Sequence, residues 1–168
     1  MSTTPQLLSS PTVIALLSRS PPAPLTASSV WRRDLTFEIN KLDASVNVRA
    51  ALHLLNDDFD GCHTLAQLQE GEPYSDHLHY IAHRREPDYW NSKYWAAQLS
   101  HRHLAQIYLA GDYDASVSEA KLEAKKFVDA IEVAASSGEG VEELEKRQWD
   151  EMTRLTRLLI EKDASEPQ

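Results

Sequence analysis

Two histidines and two carboxylates recur at helical spacing in Asp76-His77-Leu78-His79-Tyr80-Ile81-Ala82-His83-Arg84-Arg85-Glu86. Wound at about 100° per residue, Asp76, His79, His83 and Glu86 fall within roughly 80° of one another. Imidazoles at i and i+4 can share one divalent ion, and a carboxylate one turn away can ligate it or orient a ligand. His79, His83, Glu86 and Asp76 are therefore the expected metal ligands, with one divalent metal ion as the expected cofactor. The spacing differs from the metalloprotease helix, because Tyr80 follows the first histidine where that motif carries its general-base Glu. A further ligand has to come from another element. His63, Asp57, Asp58, His101 and His103 are the candidates.

Without a metal, His79, His83 and Glu86 read as a catalytic acid–base group, the carboxylate raising the imidazole pKa. The same stripe also describes a solvated helix face with i,i+3 and i,i+4 pairs. Arg84, Arg85 and Lys93 are expected to hold an anionic ligand, or else to pair with Glu86 and Asp88. Asp88, Tyr89, Tyr94 and Trp95 complete the expected ligand-binding set, although aromatics at this spacing also build cores. Six of the seven histidines lie between 63 and 103, which concentrates the candidate chemistry there.

These residues need elements to position them. From Trp31 onward the apolar pattern is helical. Asp43 is expected to cap a helix carrying Val46, Ala50 and Leu54, and Asp60 a second carrying Cys62, Leu65 and Ala66. Ser75 is expected to cap the histidine helix, which Pro87 disfavours continuing. Asp88 is expected to open a helix running to Gly111. Two amphipathic helices follow, one through Val117–Ala134 and one through Val141–Leu159. Only Asp34–Asn40 alternates like a strand. The expected architecture is an all-α, single-domain antiparallel helical bundle of about six helices over 31–163. Residues 164–168 are expected to be disordered.

An echo offset by 30 residues links Asp58-Phe59-Asp60-Gly61-Cys62 to Asp88-Tyr89-Trp90-Asn91-Ser92, and Asp112-Tyr113-Asp114-Ala115 starts a third copy. Each is an Asp–aromatic turn feeding a helix, as in tetratricopeptide-like helical hairpins. Shared helix-start chemistry, Asp as cap and aromatic as staple, explains the echo equally well.

The first 30 residues hold Pro5, Pro11, Pro21, Pro22 and Pro24, no acid and one base, Arg19. They are expected to form a flexible Pro/Ser-rich tail. The chain is 168 residues with 17 Lys+Arg against 26 Asp+Glu, a formal charge of −9 that disfavours nucleic acid as a partner. The single cysteine, Cys62, excludes an intrachain disulfide or a multi-Cys zinc site. No phosphate-binding Gly-rich loop or nucleophile elbow occurs. No run is long and apolar enough to span a membrane, so a soluble, cytoplasmic protein is expected.

The segment His79–Trp95, HYIAHRREPDYWNSKYW, resembles a family of small helical proteins from fungi and bacteria whose central segment reads approximately H-x-x-x-H-R-R-E-G-D-Y-x-N-A-K-Y-W. The matching residues are His79, His83, Arg84, Arg85, Glu86, Asp88, Tyr89, Asn91, Lys93, Tyr94 and Trp95. Pro87 stands in place of Gly, and Ser92 in place of Ala. Asn56-Asp57-Asp58 and Cys62–Gln67 are similar to the family's preceding helix. The resemblance implies a shared helical unit and carries no activity to transfer. Two functions are therefore expected. One is a binding or adaptor module using segment 76–95 against a protein or small-molecule ligand. The other is a small enzyme built on His79, His83 and Glu86.

Overall fold

Nine α-helices and one turn of 3-10 helix make up the computed structural model over its described residues, 5–109 and 116–166, and no strand occurs among them. The all-α class is as expected, with nine helices in place of about six. They are α1 (Pro11–Leu17), α2 (Arg33–Lys41), α3 (Val46–Leu55), α4 (Phe59–Gln67), α5 (Pro73–Arg85), α6 (Tyr89–Ala96), α7 (Leu104–Tyr108), α8 (Val117–Ser137) and α9 (Val141–Ser165).

Local chemistry explains most of the boundaries. The caps of α3 and α4 are Ser45 and Asp58, each two residues from the expected Asp43 and Asp60; their side chains accept from Val48 N and Gly61 N. Glu72, rather than Ser75, caps α5 by accepting from Tyr74 N and Ser75 N, with Pro73 at the position where its missing N–H costs nothing. Asp88 caps α6 as expected, accepting from Asn91 N. Gly138, at φ 76°, ends α8 in the left-handed conformation that glycine adopts without strain.

Two expectations are corrected, and a third is not tested. The candidate strand 34–40 lies within α2, whose Leu35 and Ile39 are buried while Phe37 is exposed. Burial there follows the four-residue helical step, and the two-residue alternation is coincidental. The helix expected from 88 to 111 stops at Ala96. Bonds from Gln98 N to Trp95 O and from Leu99 N to Ala96 O tighten the last turn, and the chain then turns Leu99 and His101 inward. The third Asp–aromatic turn, 112–115, lies outside the described residues.

Residues 5–30 also differ from the expected tail. Val13, Leu16, Ala23 and Leu25 are buried in the common core, and Arg19 donates to Leu55 O at 2.9 Å and to Asp57 at 2.8 Å. The Pro24 carbonyl accepts from Arg85 and Gln148. Composition counts apolar surface, whereas this strap is held as much by the acceptors it offers to buried donors. At the other end, helix α9 extends through Ala164 and Ser165.

The 30-residue echo has a structural counterpart. The α3–α4 and α5–α6 turns share an Asp cap and the same backbone bond, Asp58 N to His53 O and Asp88 N to His83 O, both 2.9 Å. The two helix pairs pack tightly within themselves, and α4 packs on α5. Helix α5 thereby becomes central. Tyr74 to Ala82, Arg84 and Arg85 are all buried, so the helix does not dock by one stripe and leave another in solvent.

Candidate metal centre

His79 and His83 lie one turn apart on α5, and His63 reaches them from α4. One potential ligand atom from each of the three imidazoles lies within 4.8 Å of the other two. The His63 ring meets His79 edge-on at 4.5 Å between centroids and His83 at 5.1 Å. His79 and His83 stack at 4.9 Å with 14° between their planes. Trp95 of α6 stacks on His79 at 4.1 Å and 17°. Trp95 is thus a wall of the trio rather than the lining of an open pocket, and it is almost fully buried.

Burial sets the charge state. It lowers the His79 pKa to about 4, helped by the repulsion of His63 and His83. Burial also lowers His83, with His63 adding to the effect and Asp88 opposing it. The expectation that Glu86 would raise these pKa values is reversed, because desolvation outweighs the carboxylates. The Glu86 carboxyl is itself raised by burial. At neutral pH His79 and His83 are uncharged and keep a lone pair for a Lewis acid. The Nδ1 atoms of both are buried without a hydrogen-bond partner among the described residues. His83 Nδ1 lies 3.7 Å from Glu86 Oε2 and 3.6 Å from Asp88 Oδ2.

The remaining expected ligands go elsewhere. Asp76 accepts from Gly71 N at 2.9 Å and closes the turn before α5, outside the trio. Asp57 is held by Arg19 and Arg85, and Asp58 faces His53 Nδ1 at 3.1 Å. His101 lies under Tyr74, with stacked rings 4.4 Å apart. Of the five outside candidates, only His63 joins His79 and His83 among the described residues.

Arg84 and Arg85 are not available to an anionic ligand, since both are 0% exposed. Arg84 makes a two-pronged pair with Glu151, donates to Gln148 Oε1, and lies 4.5 Å over the Phe127 ring. Arg85 donates to Asp57 at 2.7 Å, to Leu54 O and to Pro24 O, and lies 4.8 Å over Phe59. Neither pairs with Glu86 or Asp88. Two desolvated guanidiniums, each anchored by a buried carboxylate, lock the rotation of α5 and so aim His79 and His83. Lys93 pairs with Asp129 at the surface, Tyr89 is partly buried, and Tyr94 is exposed.

A buried polar chain was not anticipated. His103 N donates to His101 Nδ1, so His101 Nε2 carries the proton and donates to His77 Nδ1 at 2.7 Å. His77 Nε2 then donates to Tyr108 Oη at 2.6 Å, and Tyr108 donates to Glu151 at 2.5 Å. Every proton in this neutral chain points toward the Glu151–Arg84 pair. The sequence signal was His77, Tyr80 and Arg84 at i, i+3 and i+7, one polar stripe whose partners are remote in the chain.

A groove of about 360 Å³ is lined by Ser28, Ser29, Asp58, Phe59, Asp60 and Glu86, and Glu86 links it to the trio by its approach to His83. No described helix is long and apolar enough to cross a membrane. No protein-family model matches the chain, and no curated protein or solved structure matches it.

Proposed function

We propose that the protein binds one divalent metal ion through His63, His79 and His83 and acts as a small metal-dependent enzyme. The carrying observation is the convergence of three imidazoles, two of them kept neutral by burial, with ligand atoms within 4.8 Å. Ligand bonds of about 2.1 Å require the nitrogens to close to roughly 3.4 Å. Three protein ligands leave a position for water, whose pKa the ion lowers toward about 7. This favours hydrolytic or hydration chemistry. The acidic groove beside Glu86 favours neutral or cationic substrates over phosphate esters. A lone reduced Cys62 supports a cytoplasmic location.

Metal analysis of untagged protein, purified without added metal or chelator, tests this reading. About one zinc, iron, manganese or nickel ion per chain, lost in H79A/H83A, supports it. A metal-free wild type whose melting temperature responds to no added divalent ion overturns it.

A second reading, a module that binds a protein or small molecule through segment 76–95, is favoured by the exposure of Trp90 (78%) and Tyr94 (53%) on α6. An interaction lost in W90A/Y94A with metal content intact would support it. The net charge of −9 argues against a nucleic-acid partner in either reading.

A further inference from the structure

His83 Nδ1 has two polar neighbours, and both are acidic. Glu86 Oε2 lies at 3.7 Å and Asp88 Oδ2 at 3.6 Å from His83 Nδ1. These separations exceed a hydrogen bond, and Nδ1 is buried with no other partner. A bare lone pair there would face two carboxylates. A proton there would instead face two acceptors. We infer that Glu86 and Asp88 are positioning residues that hold the His83 proton on Nδ1 and leave Nε2 as its metal-binding nitrogen.

The first hairpin carries the same device in a structural role. His53 and Asp58 occupy the positions of His83 and Asp88, 30 residues earlier, and His53 Nδ1 lies 3.1 Å from Asp58 Oδ2. There Nε2 donates to Asn40 Oδ1 at 2.9 Å, so that histidine carries its own Nε2 proton. In both hairpins the aspartate that caps the second helix faces the Nδ1 of the histidine five residues earlier. The backbone bond Asp58 N to His53 O, matched by Asp88 N to His83 O, fixes that approach. In the second hairpin no asparagine occupies Nε2, and His63 and His79 stand beside the ring instead. The turn thus brings a carboxylate to Nδ1 in each copy, and what meets Nε2 decides whether the histidine is structural or a ligand. A carboxylate or other acceptor on the non-coordinating nitrogen is how metal-bound imidazoles are commonly oriented. Glu86 accordingly moves from expected metal ligand to orienting group, and Asp88 joins it in that role.

This inference deepens the metal reading and, for the ligand role of Nε2, rests on it. The test is a long-range ¹H–¹⁵N spectrum of metal-free protein above pH 7, which reports the tautomer of each histidine, together with Zn²⁺ titrations. The expected result is His83 protonated at Nδ1. In E86Q/D88N, whose amide side chain at position 88 can still cap the helix, the tautomer shifts toward Nε2–H and Zn²⁺ affinity falls about 10–100-fold. A wild-type His83 protonated at Nε2 overturns the inference whether or not Zn²⁺ binds. So does a folded E86Q/D88N with unchanged tautomer and affinity. If wild-type His83 is protonated at Nδ1 and the variant switches it, yet no Zn²⁺ binds, the positioning role stands and the metal reading falls.

Discussion

His63, at the middle of α4, meets His79 of α5 edge-on, with ring centroids 4.5 Å apart and planes at 83°. No spacing rule within one helix creates this contact. It follows from the packing of α4 on α5, and it turns an ordinary i,i+4 histidine pair into a three-nitrogen set.

Replacing His63 by Ala should therefore remove tight metal binding while sparing the fold. His63 is only partly buried, so the metal-free variant should keep its stability within about 0.5 kcal/mol. Zn²⁺ at 100 times its Kd should stabilise the wild type by about 2.7 kcal/mol, a rise in Tm of roughly 5–11 °C. The same Zn²⁺ concentration should leave the H63A melt almost unmoved. Differential scanning calorimetry of both proteins, each with and without Zn²⁺, checks this.

The buried chain predicts acid sensitivity. Burial lowers the His77 pKa to about 3, with Arg84 adding to it, and lowers His101 to about 2, with His77 and His103 adding. Unfolded histidines take up protons below about pH 6.5. Between about pH 6.5 and 3 the unfolded state thus binds more protons, so stability falls as pH falls and levels off above about 7. The melting temperature of metal-free protein, followed from about pH 4.5 to 8, should show this slope. H101Q, which has one buried imidazole fewer, should show a shallower one.

The Arg84–Glu151 pair joins α5 to α9 in the core. Removing one partner strands the other as a buried charge, so E151A should cost about 3–5 kcal/mol in chemical denaturation. It also deprives Tyr108 of its acceptor. R84M/E151M, which leaves no stranded charge, should be less destabilised than E151A. A double variant as unstable as the sum of the singles would contradict this.

Pro87 sits at φ 21°, a backbone angle that the proline ring opposes and glycine accepts. Such strain costs about 1–3 kcal/mol. P87G should relieve it, less about 0.4–1 kcal/mol for the freer unfolded chain. A net gain of about 1 kcal/mol, or roughly 2–4 °C in Tm, is expected. A thermal melt of P87G that falls instead would show that the turn holds proline without strain.

Much of this molecule can be read from local pattern. Helical periodicity gives the all-α class, the Asp88 cap and the pairing of His79 with His83, because each depends on neighbours within four residues. The echo at offset 30 marks the two hairpins for the same reason. Asp76 shows where stripe geometry stops being sufficient, since the Gly71 amide, five residues away, claims the carboxylate. Arg84 and Arg85 look like surface cations until Glu151 and Asp57, 67 and 28 residues away, neutralise them inside the core. The third histidine and the lowered imidazole pKa values have the same origin. Spacing along one helix determines which side chains share a face. Only the packing of distant elements decides which of them lose water, which charges find partners, and which nitrogens are left to meet.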